Sequence, residues 1–197
     1  IPMALAGTFQ AVNAVTAAVR AHASGLPLHD SLWALPYVTG AEGRMQLVSG
    51  HPAGARVVVD YAHTPDALES ALKALRPETR GRLAVVFGAG GDRDAGKRPM
   101  MGSTAHRHAD LVYVTDDNPR SEDAAAIRTA IIENCPKAIE IPDRGEAIAS
   151  AMRDLNADDV LLIAGKGHES VQLVGSETLP FSDSSVARNA IRRLTAD

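Results

Sequence analysis

Four short polar runs hold most of the chemistry this chain offers. The first is Asp60-Tyr61-Ala62-His63-Thr64-Pro65-Asp66. Asp60 can accept from ribose hydroxyls or hold a metal-bound water, and His63 can donate to a phosphate. The same residues also suit a helix cap with a satisfied histidine. The second run extends from Gly88 to Pro99 and contains Gly90-Gly91-Asp92-Arg93-Asp94 followed by Lys97-Arg98. Its glycines permit close backbone approach to a ligand. A purely structural turn would not need such a charged composition. The third is Thr115-Asp116-Asp117-Asn118-Pro119-Arg120-Ser121-Glu122. Pro119 restricts Asn118 to extended backbone and so helps aim its amide. An Asx-type turn capping the next helix accounts for Asp116 but not for Arg120. The fourth is Gly165-Lys166-Gly167-His168-Glu169. Here Gly165 can present backbone groups and Glu169 can accept from an ammonium, while Lys166 and His168 are equally well read as solvated.

Together the runs supply both signs of charge. Arg93 and Arg120 can each take a carboxylate through two parallel hydrogen bonds. Asp117 and Glu169 can take ammonium groups. Four opposed contacts suit a diamino diacid better than a simple amino acid.

The elements that must position these runs follow from hydrophobic period and turn chemistry. Leu83 to Phe87 and Val160 to Ala164 are continuously apolar, as strands buried on both faces are. Arg44 to Ser49 and Arg56 to Tyr61 read as strands around a Gly- and Pro-rich turn, and Leu111 to Thr115 and Ala138 to Ile141 as two more. Thr64-Pro65 is a helix N-cap with proline at the first position. Its helix carries the stripe Leu68, Ala71, Leu72, Leu75. Further helices are expected over 99–108, 122–134, 144–155 and 184–194, and a hairpin around Gly175-Ser176. Near the start, Phe9, Val12, Val15 or Thr16, and Val19 fall on one face of a helix expected over 8–23, with Gly25 as its C-cap. A shorter helix is expected from Leu28 to Leu35, and a linker over 39–43. Strands alternating with amphipathic helices imply an α/β fold: a mostly parallel sheet with helices on both faces. Ligands then sit beyond the carboxyl ends of the strands, where all four runs lie.

Composition narrows the function classes. Hydrophobic content of 45% and charged content of 22% over 197 residues suit a globular protein. A formal net charge of −4 disfavours nonspecific binding to nucleic acid or to anionic membrane. The single cysteine, Cys135, excludes a disulfide framework and reads as buried filler. No apolar stretch suffices to span a bilayer, no signal peptide is evident, and a cytoplasmic location is expected. The opening residues read as the middle of something, so a piece of a longer chain is expected.

In this order the four runs resemble the Mur ligase family, and the resemblance covers nearly the whole chain. It implies a three-domain enzyme. On this reading residues 1–40 are the helical end of a central ATP-binding domain, and 41–197 are a Rossmann-like carboxyl-terminal domain that binds the incoming amino acid. Residues Gly7 to Asn13 resemble the central domain's Gly-x-Phe-Asn-x-x-Asn helix; Gln10 replaces the first asparagine and Asn13 is kept. Gln46 stands where the family usually has glutamate. The resemblance implies ATP and Mg2+ as cofactors, with Asn13, Arg44, Asp60 and His63 serving ATP and with His63 or Glu169 a candidate proton acceptor. It implies that Arg93, Asp117, Asn118, Pro119, Arg120, Gly165 and Glu169 bind meso-diaminopimelate. The acceptor it implies is UDP-N-acetylmuramoyl-L-alanyl-D-glutamate, reached through other domains of a monomer.

Three other readings stay open. A dinucleotide-dependent oxidoreductase could use the Gly88 to Gly96 run, but the Asp-Arg-Asp insertion replaces the smooth glycine turn into a helix that it needs. A stand-alone amino-acid-binding module would share every site residue. A ligase of the same family could add another amino acid. The chain contains no glycine-rich loop ending in Gly-Lys-Ser or Gly-Lys-Thr after a strand.

Overall fold

A computed structural model describes residues 8–38 and 40–196. Gly7 and the side chain of Phe9, both named in the sequence reading, lie outside what it describes, as does Thr39 of the expected linker. Helices α1 (Thr8–Ala23) and α2 (Leu28–Trp33) come first, followed by a short 3-10 turn over Leu35–Tyr37. The main unit is a six-stranded sheet in the order β1-β2-β6-β3-β4-β5. Its strands are β1 (Gln46–Val48), β2 (Arg56–Asp60), β3 (Leu83–Phe87), β4 (Leu111–Val114), β5 (Ile139–Glu140) and β6 (Val160–Ala164). Only β1 runs antiparallel to its neighbour; the others pair in parallel.

Alternation along the central strands builds two cores. Val58 of β2 and Leu162 of β6 face a core made with α3 (Pro65–Leu75), α4 (Lys97–His108) and α5 (Ala124–Ile132). Val57, Val59, Leu161 and Ile163 face the opposite core, made with α6 (Arg144–Arg153) and α7 (Asp183–Ala196). All residues of β3 and β6 are buried, as their unbroken apolar runs predict. Each Val, Leu, Ile or Phe so buried contributes about 1.5–3 kcal/mol relative to exposure. The expected cap is present: the Thr64 hydroxyl accepts from the Ala67 N–H at the start of α3. Cys135 is buried in the first core, where burial raises its thiol above its ordinary value. Strands β7 (Val171–Val174) and β8 (Glu177–Pro180) form the expected hairpin, as a separate two-stranded sheet. No helix among the described residues is long and apolar enough to cross a membrane.

The helix α1 forms over the expected residues, and its apolar face is uncovered: Val12, Val15 and Val19 are 66%, 49% and 54% exposed. The helix instead packs its small residues Ala14 and Ala18 against Leu35, with Leu32 beside them. Periodicity reports that a helix has an apolar face, but which face is covered depends on what packs against it.

Candidate functional site

The loops after β2, β3, β4 and β6 converge on a cavity of about 470 Å3. It is lined by three cationic side chains, Arg93, Lys97 and Arg120, and by three anionic ones, Asp94, Asp117 and Glu169. His63 and Gly165 also line it. Of the residues expected to bind the amino acid, all but Pro119 line this cavity, and Arg93 does so from an exposed position. Arg93 is exposed and reaches only the carbonyl of Asp92. Pro119 is buried and does not line the cavity; its carbonyl lies where a side chain on Gly91 would go. Pro119 thus holds the second and third loops together rather than touching the cavity.

Arg120 is positioned by backbone geometry that composition does not foretell. Its φ is +53°, and its N–H donates to the Leu173 carbonyl at 3.0 Å while its own carbonyl accepts from Gly175 at 2.7 Å. These bonds join the loop to the β7–β8 hairpin. One corner of its guanidinium donates to the Gly91 carbonyl at 2.8 Å, so Arg120 is aimed before any ligand arrives. Asn118 is engaged on both sides: Oδ1 accepts from Lys166 Nζ at 2.8 Å and from the Leu173 N–H at 3.0 Å, and Nδ2 donates to Glu169 Oε2 at 3.0 Å. The solvated reading of Lys166 is corrected, because that side chain is fully buried. Among the described residues, the Asp117 carboxylate accepts no hydrogen bond, and the side chain is buried within the fields of Lys97, Lys166 and Arg144.

The frame beneath is charged as well. Arg144 is entirely buried and pairs with both carboxylate oxygens of buried Asp183 at 2.8 Å; it also donates to the Ala164 carbonyl at 2.9 Å, next to Gly165. Gly165 has φ +121°, and a Cβ there would stand 2.7 Å from Asp117 Oδ2, so a side chain is excluded twice over. Arg98 bridges Glu122 and the Gly90 carbonyl, tying the second loop to the third.

A second cavity, of about 550 Å3, lies on the α1 side and is lined by Gln10, Asn13, Arg44 and Asp60, among others. Asp60 accepts from the Met45 and Ala62 N–H groups, one on each oxygen, at 2.8 and 2.9 Å. Burial, opposed by those bonds and by Arg44, leaves its carboxyl above the ordinary value. Tyr61 connects the two cavities. Its ring lies under the Arg44 guanidinium at 4.7 Å, meets the His63 ring edge-on at 4.5 Å, and lines the first cavity. His63 therefore sits on the first cavity rather than beside Asp60. Its Nδ1 donates to the Tyr61 carbonyl at 2.8 Å, because a carbonyl can only accept, and this leaves Nε2 as an acceptor in the neutral ring.

Tyr61, Lys97 and Lys166 were not singled out as site residues from sequence. Lys97 carries a half-buried ammonium that donates to the His63 carbonyl at 2.9 Å, and burial lowers it from its ordinary value. Its only sequence signal was membership of the basic cluster after the glycine loop.

A family described as "Mur ligase, glutamate ligase domain" matches residues 43–167. The chain belongs to the Mur ligase family. This Mur ligase chain is 54% identical over 196 residues to a UDP-N-acetylmuramoyl-L-alanyl-D-glutamate–2,6-diaminopimelate ligase of Chelativorans sp. (strain BNC1), covering 100% of this chain and 41% of that relative. It thus spans about two fifths of the curated relatives it matches. A solved structure of a ligase of the same name superposes with a TM-score of 0.80 at 38% identity, over 99% of this chain and 40% of the other. A Mycobacterium tuberculosis folylpolyglutamate synthase, solved with ADP and AMPPCP, shares the fold at a TM-score of 0.61 and 24% identity, over 100% of this chain and 42% of that one. The α/β fold with its mostly parallel sheet is thus that of Mur ligases.

Proposed function

We propose that this chain supplies the amino-acid-binding part of an ATP-dependent ligase that joins meso-diaminopimelate to UDP-N-acetylmuramoyl-L-alanyl-D-glutamate. On this reading residues 41–197 form the amino-acid domain and residues 1–40 the end of a central ATP-binding domain. The observation that carries it is the charge inventory of the first cavity, three cations and three anions on converging loops. Diaminopimelate carries two ammonium and two carboxylate groups, and a site with both signs pre-set matches it. The names of relatives that align over nearly the whole chain support the same reading.

Arg120 and Arg93 take carboxylates, and Asp117 and Glu169 take ammonium groups. Glu169 Oε2 is already occupied by Asn118 and Lys166, so Oε1 is the oxygen offered to a ligand. Gly165 leaves the room beside Asp117 that an ammonium requires. The second cavity fits a nucleotide: Gln10 and Asn13 offer amides to a base edge, and Arg44 offers charge to phosphate. ATP, when bound, supplies the phosphoryl group that converts the D-glutamate side-chain carboxylate to an acyl phosphate. Among the described residues no cluster of three His, Cys, Asp or Glu side chains is placed to hold a metal ion.

For bond formation the attacking amine must be unprotonated. The Nε2 of His63, on the cavity wall, is an acceptor for that proton. The amine lone pair attacks the acyl carbon, the amide C–N bond forms, and phosphate leaves. Arg120 discriminates between amino acids: lysine lacks the second carboxylate and would leave the guanidinium unpaired.

The test is ligation by the full-length enzyme with meso-diaminopimelate or lysine. The unmutated enzyme is expected to use diaminopimelate in strong preference. Arg120→Ala should remove about 2–5 kcal/mol from its kcat/KM for diaminopimelate. Equal use of both amino acids by the unmutated enzyme overturns the assignment.

A further inference from the structure

Lys166 lies in the loop after β6 with no solvent exposure. An ammonium has three donors, and here all three are used: by Asn118 Oδ1 at 2.8 Å, the Val171 carbonyl at 2.8 Å and Glu169 Oε2 at 3.4 Å. No N–H remains to meet a ligand. Lys166 is therefore not a binding group, although two of its three partners line the cavity.

A side-chain amide can face either way. At Asn118 one end meets Lys166 and the Leu173 N–H, two groups that only donate. The oxygen must face them, and the NH2 then falls on Glu169 Oε2. With Lys166 neutral and apolar, half of the force that sets the amide is gone and the Glu169 carboxylate loses a cationic partner. Arg144, the other fully buried cation nearby, is already matched on both oxygens of Asp183. Lys166 is thus the buried cation whose partners belong to the cavity itself. Burying an ammonium is costly unless it is fully hydrogen-bonded, and burial lowers Lys166 from its ordinary value. Its neighbours meet that condition through the groups that face the ligand.

We infer that Lys166 is a positioning residue for the amino acid, fixing the orientation of the Asn118 amide and through it the carboxylate of Glu169. The inference rests on the reading of the first cavity as the amino-acid site. Lys166 acts on one substrate only, and through Asn118.

The test is a double-mutant cycle in the full-length enzyme. K166M is expected to raise KM for meso-diaminopimelate about tenfold, while KM for ATP and for the UDP-linked acceptor moves less than about twofold. In the N118A background the same change is expected to add less than about threefold, because the route through the amide is already gone. K166Q, which keeps a neutral donor, is expected to recover part of the loss. If K166M does not fold, K166Q replaces it in the cycle under the same criterion. An unchanged KM for diaminopimelate in K166M, a comparable rise in all three KM values, or effects of K166M and N118A that simply multiply each overturns the inference. If R120A and N118A themselves leave KM for diaminopimelate unchanged, the reading of the cavity fails instead. Losses in those two with K166M silent sink the inference about Lys166 alone.

Discussion

Around Asp117, polar side chains are held by other polar side chains that are themselves buried. Asn118 is set by Lys166, Glu169 by Asn118, and the Ala164 carbonyl by the Arg144–Asp183 pair. Around Asn13 the arrangement is looser. Asn13 is exposed and donates to Gln10 at 3.4 Å, and Gln10 donates to the Arg44 carbonyl at 3.4 Å. Only Asp60, clamped by two backbone N–H groups, is firmly placed there. The helix that carries Asn13 is anchored by a small core of Ala14, Ala18 and Leu35. The first cavity is thus organised before a ligand binds, and the second depends on a lightly anchored helix. Preorganisation of this kind lowers the ordering cost of binding a small polar ligand.

Four substitutions break or sharpen this contrast, from the largest expected effect to the smallest. Asp183→Asn leaves Arg144 buried without its counter-charge and should cost about 3–5 kcal/mol of stability. Chemical denaturation would measure it, and a loss under about 1 kcal/mol would show that the frame under the first cavity is not held by that pair. Gly165→Ala forces a Cβ into the Asp117 carboxylate at positive φ and should cost about 1–3 kcal/mol, with weaker diaminopimelate binding. Titration calorimetry with the full-length enzyme checks this; unchanged affinity would mean that the loop yields freely.

Asp60→Asn removes one of two acceptors for backbone N–H groups and should cost about 1 kcal/mol. The substitution also tests a pH dependence. Burial raises the Asp60 carboxyl above its unfolded value. Between the two values the folded chain holds the extra proton, so stability falls as pH rises through that window. Asp60→Asn should lack this part of the slope, and denaturation midpoints at several pH values from about 4 upward would reveal whether the two profiles stay parallel. Last, Val15→Ser on exposed α1 should change stability by less than about 0.5 kcal/mol. A thermal shift of several degrees in this chain would falsify the claim that this face is uncovered.

Much of the fold was legible because its signals are local. The unbroken apolar runs of β3 and β6 appear where expected, Thr64 caps α3, Gly25 takes positive φ just beyond α1, and the hairpin turns at Gly175-Ser176. The candidate site was legible as loops rather than as contacts. Asp117, Arg120, Gly165 and Glu169 do converge, since all four runs follow strands of one sheet. The solvated reading of Lys166 failed because a lysine between two glycines carries no mark of burial. That Val12, Val15 and Val19 share one helix face was legible, and that this face is uncovered was not, because an apolar stripe does not name its partner.

The amino-acid sequence by itself determined the order of the elements, the faces they pack into the two cores and the four loops that carry charge, because periodicity, caps and turns act over a few residues. Only the tertiary structure decided that β6 lies between β2 and β3, that the candidate residues divide between two cavities joined by Tyr61, and that Lys166 and Leu173 aim the amide of Asn118. Those hydrogen bonds join residues 48 and 55 positions apart, a separation over which local sequence pattern carries no information. The Asp117-Asn118-Pro119-Arg120 turn shows the division most clearly: its residue types suggest what it binds, but the charge that orients it lies on another strand's loop.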